Sequence, residues 1–125
     1  MIWMFRGLIG LMVVLFSILG FGYYFDPVTT AGSNGLEALD LTGISALHGD
    51  LGGLFIGMVI LLVLGLVQPR ASWLLAVAVV LAAIALGRII GFVIHGTSEP
   101  AFMALGVELV CVVILMLASR FFARS

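Results

Sequence analysis

Between Arg6 and Asp26 the chain runs for about 19 residues without a charge, and about 20 residues of α-helix suffice to cross a hydrocarbon core. The pattern recurs from Asp50 to Arg70. It recurs again from Arg70 to Glu99, interrupted at Arg88, and from Glu99 to Arg120, interrupted at Glu108. Four such runs in 125 residues leave no material for a separate water-soluble core. The chain is therefore expected to use lipid as its solvent.

Composition agrees: 64% of residues are hydrophobic and 9% are charged, where soluble domains hold roughly 45–50% and 25%. The net charge is -1, from five basic and six acidic residues, and every basic residue is arginine. No basic patch is available, which sets nucleic acid aside as a partner. Cys111 is the only cysteine and lies in an apolar run, so it reads as a small buried hydrophobe.

The expected fold is all-α, a single membrane domain over 1–125 built as an antiparallel up-down four-helix transmembrane bundle. Its spans are predicted at about 4–25, 44–67, 71–95 and 100–122, by the usual span length and the end signals. The first run is long for a signal-peptide core and ends in Gly22-Tyr23-Tyr24-Phe25 rather than small residues, so it reads as a retained helix. Thr42 or Ser45 can cap the second span, which stops before Pro69. Ser98-Glu99-Pro100 opens the fourth, with serine as cap and proline in the first turn, where its missing N–H is not needed.

In that layout Arg6, Arg70, Arg120 and Arg124 fall on one side and Asp26, Glu37, Asp40 and Glu99 on the other. Arginine-rich flanks stay in the cytoplasm, so both termini are expected there. Trp3, Trp73, Phe121 and Phe122 mark that interface, and Tyr23, Tyr24 and Phe25 the opposite one. The long connection, 26–43, carries leucines at 36, 39 and 41 that could lie on the membrane surface as a short amphipathic helix.

A charged side chain inside a span costs several kcal/mol unless it finds water or a partner. Asp50, Arg88 and Glu108 qualify. At about 1.5 Å per residue they lie roughly 9, 10 and 12 Å from the outer face, because successive spans alternate in direction. His48 and His95 sit nearer that face, and His95 lies two turns beyond Arg88 on the same side of the third span. The planar guanidinium of Arg88 can grip a carboxylate with two N–H groups, and Glu108 is the favoured partner ahead of Asp50. One arginine against two acids leaves a negative excess, which a proton, a charged histidine or a bound cation would correct. Small residues at four-residue intervals, Gly49, Gly53 and Gly57 on the second span and Gly87 and Gly91 on the third, are expected at helix contacts. No metal-ligand spacing is present, and the histidines read as interfacial.

The stretch Ala46-Leu47-His48-Gly49-Asp50-Leu51-Gly52-Gly53-Leu54-Phe55-Ile56-Gly57, with Leu86-Gly87-Arg88-Ile89-Ile90-Gly91 and Glu108-Leu109, resembles an uncharacterised family of small four-helix bacterial membrane proteins, a domain of unknown function distantly similar to DoxX-like proteins. The resemblance covers roughly 35–115. It implies a four-helix fold in the bacterial inner membrane, crossed several times, and supplies no established activity.

The functional expectation is a binding or accessory protein. Arg88, Glu108, Asp50, His48 and His95 would line an outward-facing charge cluster for a small polar or ionic ligand or a lipid headgroup. Alternatives are a structural subunit of a larger membrane complex, in which the ion pair serves only the fold, and a proton-coupled transporter, which the lack of polar groups in the cytoplasmic halves disfavours. No nucleophile with a matching base and no cofactor motif appears, so no catalytic residue and no cofactor is assigned. Membrane lipids are the expected partners, with homo-oligomers or a larger complex as further possibilities.

Overall fold

A computed structural model of the chain describes residues 1–68 and 70–123. Pro69, the expected stop of the second span, and Arg124, one of the expected cytoplasmic markers, lie outside the described residues. All regular structure among the described residues is helical: α1 Ile2–Phe25, α2 Pro27–Ser33, α3 Leu41–Ala46, a π-helical turn Leu47–Leu51, α4 Gly52–Val67, α5 Ala71–His95 and α6 Glu99–Ala123. Four stretches are long and apolar enough to cross a membrane: α1, the continuous helix Leu41–Val67, α5, and α6 as far as Phe122.

The described chain packs as two compact units, Gly10–Val63 and Met1–Ile9 with Leu64–Ser125. In the first, α1 and α4 run antiparallel, and glycine sets their spacing. A Cβ added at Gly20 would lie 2.6 Å from Ile56 Cδ1, and one at Gly52 would lie 2.6 Å from the Tyr24 ring, so a side chain at either position would push the helices apart. Phe55 fills the space between these approaches, with its ring 5.9 Å from Phe16 and 6.1 Å from Tyr23. Where lipid removes the hydrophobic drive, such close van der Waals packing holds helices together.

The connection from α1 to α3 folds on its own small core of Tyr23, Ala31 and Leu47, with Ala38, Leu51 and Phe55 against it. The short helix forms at Pro27–Ser33 rather than around the leucines 36–41, because Pro27 presets the first turn and Gly35, at φ +77°, turns the chain out of it. Asn34 Nδ2 donates to the Tyr23 hydroxyl at 2.7 Å, tying the turn back to α1. The second membrane helix begins at Leu41, earlier than 44. Its cap is Asp40 rather than Thr42 or Ser45: Asp40 has extended backbone, and its Oδ1 accepts from Gly43 N–H at 2.9 Å.

In the other unit, α5 and α6 form an antiparallel hairpin closed by residues 96–98, with Gly96 at φ +97° ending α5. Ser98 Oγ accepts from Ala101 N–H at 3.3 Å and caps α6 as expected. The hairpin buries Leu74, Val77, Ala78, Leu81 and Ala85 of α5 together with Cys111, Leu115 and Ala118 of α6, positions that recur at helical spacing. Phe5, near the start of α1, packs on Phe121, near the end of α6, at 5.1 Å between ring centroids.

The outward faces are as apolar as the buried ones. Leu11, Ile18, Val79, Val93 and Phe102 are all more than half exposed. On a soluble protein this would be an aggregating surface. Against acyl chains it costs nothing.

Candidate functional site

Arg88 lies seven residues before the end of α5 and Glu108 nine residues after the start of α6, about 10 and 14 Å from the hairpin turn by helix rise. The antiparallel register brings them side by side. Arg88 Nη2 donates to Glu108 Oε1 at 2.7 Å and Nε donates to Oε2 at 3.2 Å, a side-on fork that occupies both carboxylate oxygens. Arg88 Nη1 makes no hydrogen bond among the described residues, so the outer edge of the guanidinium is left with free donors.

The pair was expected to be buried, and it is only part-covered: 32% of the Arg88 side chain and 13% of the Glu108 side chain are exposed. The reason lies in its place on the hairpin. Along α5 the packed stripe runs through fully buried Leu74 and Val77 to Leu81 and Ala85, and one turn later reaches Arg88. Along α6 it runs from Leu115 through Cys111 to Glu108. The covered face thus opens at the level where the charges appear. Beyond them, Phe92 and Phe102 stack with centroids 6.1 Å apart and planes 16° from parallel.

The other residues expected in the cluster are placed as follows. His95 is exposed at the last position of α5. His48 and Asp50 are exposed on the π-helical turn Leu47–Leu51, in the Gly10–Val63 unit. None of the three forms an ion pair or hydrogen bond among the described residues, so the bonded site consists of Arg88 and Glu108. Among those residues no group of three or more His, Cys, Asp or Glu side chains is arranged to hold a metal ion.

The glycines expected at helix contacts are not the ones that make the close approaches within each unit. A Cβ added at Gly49, Gly53, Gly57, Gly87 or Gly91 would meet no atom within 4 Å. The close approaches fall instead at Gly20 and Gly52, as described, and at Gly65, where a Cβ would lie 2.7 Å from Leu74 Cδ2.

Two features of the structure have little or no signature in the sequence. The π-helical turn carries no marker in hydrophobic periodicity, since one extra residue in a turn leaves composition unchanged. The Asn34–Tyr23 clasp had a signal in Asn34-Gly35, a pair that favours turns.

Long apolar helices, hydrophobic outward faces and a bidentate ion pair within two of those helices are the features of a multi-pass membrane protein. The chain belongs to the family described as Domain of unknown function (DUF4345), whose model matches residues 4–119. No match is found among curated proteins or among solved structures.

Proposed function

We propose that this chain is a binding or accessory protein of the bacterial cell membrane, folded as one antiparallel up-down four-helix bundle with both termini in the cytoplasm. Its Arg88–Glu108 pair recognises a small polar ligand or a lipid headgroup in the outer half of the bilayer. The antiparallel α1/α4 and α5/α6 pairs and the Phe5–Phe121 contact support the topology. The placement of Arg6, Arg70 and Arg120 at span ends supports the orientation.

One observation carries the functional reading: the Arg88 side chain stays 32% exposed within a helix long and apolar enough to cross a membrane, and its Nη1 donors are unused. Donors without acceptors are costly in a medium lacking water, so a ligand that supplies acceptor oxygens there is stabilised. Glu108 fixes the guanidinium plane. The free edge is then presented in one orientation, which favours a phosphate, carboxylate or ester oxygen.

The test compares ligand-induced thermal shifts of wild type and Glu108→Gln across phospholipids and small anions. A shift present in wild type and reduced in the variant supports binding at this pair. Identical profiles across the panel would remove it.

The bidentate closure of the pair favours a second reading, in which it only locks the register of the α5/α6 hairpin within a larger complex. Exchanging the two residues, Arg88→Glu with Glu108→Arg, keeps the bond and moves the free donors to α6. On this reading the exchanged protein keeps full activity of its complex; on the binding reading it loses the ligand shift.

A further inference from the structure

A second site, independent of the Arg88–Glu108 pair, lies in the folded connection between α1 and α3. Here α2 and the segment after it enclose an open cleft of about 490 Å³, whose walls include Val28, Ala31, Leu36, Ala38 and Ile44. That volume falls within the range of small-molecule sites, roughly 300–1,000 Å³. The frame around it is held by local bonds. Leu36 N–H donates to the Ala31 carbonyl at 2.8 Å, Asn34 is clasped to Tyr23, and Ala38 approaches Gly43 so closely that a Cβ there would lie 3.2 Å away.

Glu37 is the one residue of the lining with a charged or polar side chain. That side chain is exposed and forms no ion pair or hydrogen bond among the described residues. No arginine or lysine occurs anywhere from Gly7 to Gln68, while Asp26, Glu37, Asp40 and Asp50 do. A guest of net negative charge would be repelled by this end of the chain, and one without a cationic group would leave the carboxylate unused. The lining contains no aromatic ring, and aromatic faces are what hold quaternary ammonium groups. A primary ammonium, compact and carrying three donors, matches a single carboxylate better.

We propose that this cleft binds the primary ammonium end of an amphiphile, with the charge on Glu37 and the methylene groups next to it against Val28, Leu36 and Ile44. The ammonium can belong to a phosphatidylethanolamine headgroup or to a free long-chain amine.

Native mass spectrometry of the full chain released from nanodiscs separates the sources. One preparation holds equal phosphatidylethanolamine, phosphatidylcholine and phosphatidylglycerol; the other holds phosphatidylglycerol with added decylamine. Wild type is expected to retain an ammonium ligand in at least one preparation. Retention of phosphatidylethanolamine over phosphatidylcholine assigns the lipid, and retention of decylamine alone assigns the free amine. Glu37→Gln, at an exposed position, should lower retention about threefold, the scale of one accessible charge pair. Gly32→Leu, at a lining position where a Cβ meets nothing within 4 Å, should narrow the cleft and lower retention. Retention of neither ligand by wild type, or equal retention by wild type and either variant, overturns the proposal. Circular dichroism of each variant confirms that the helices persist.

Discussion

Arg88 grips Glu108 with the Nε and Nη2 edge of its guanidinium and leaves Nη1 facing away, so a single residue both locks the α5/α6 hairpin and presents unused donors. The two roles separate on mutation. Glu108→Gln weakens the fork and leaves a part-covered cation without its counter-charge, an expected loss of about 1–3 kcal/mol. Arg88→Met with Glu108→Leu removes both charges and should recover most of that loss, because a nonpolar pair of similar volume needs no desolvation. Reversible unfolding in mixed micelles measures both.

Asp40 holds the first turn of the second membrane helix through Gly43 N–H. Asp40→Ala should cost about 1 kcal/mol, and Asp40→Asn, which keeps an acceptor at the same position, only a few tenths. Midpoints of thermal unfolding in detergent give the comparison.

Neighbouring glycines should respond in opposite ways. Gly52→Ala drives a methyl into the Tyr24 ring and should destabilise the α1/α4 contact by about 1–3 kcal/mol. Gly53→Ala meets no atom within 4 Å and should be neutral, or stabilising by up to about 1 kcal/mol through helix propensity. The same unfolding assay reads both.

The Asn34–Tyr23 bond closes the connection above α1. Tyr23→Phe should weaken this closure by about 0.5–1.5 kcal/mol. Cleavage at Glu37 by a glutamate-specific protease should then run faster than in wild type, at unchanged helix content.

Orientation can be checked chemically. A cysteine introduced at exposed Ser33 should react with a membrane-impermeant maleimide on intact cells, and one at exposed Gln68 only after permeabilisation. Native Cys111 is buried and should stay silent.

The membrane helices were legible because lipid enforces a simple rule: about 20 apolar residues between charges make a span. The Arg88–Glu108 pair was legible for the same reason, since a lone arginine in α5 demands a partner and α6 offers one acid at matching depth. Local details were less accessible. Thr42, Ser45 and Asp40 are all competent caps, and only the backbone path into Leu41 selects Asp40. Gly52 and Gly53 stand about 100° apart on the helix, and the sequence does not tell which one faces Tyr24. The leucines at 36, 39 and 41 suggested a surface helix, but Pro27 starts one earlier and Gly35 ends it.

A structure of the chain in phosphatidylethanolamine/phosphatidylglycerol nanodiscs, resolved well enough to place side chains, tests the central claim most directly. The binding account predicts non-protein density within about 3 Å of Arg88 Nη1, hydrogen-bond distance from an acceptor oxygen. An Nη1 bonded only to protein groups, with Arg88 and Glu108 sealed from lipid and solvent, would contradict it.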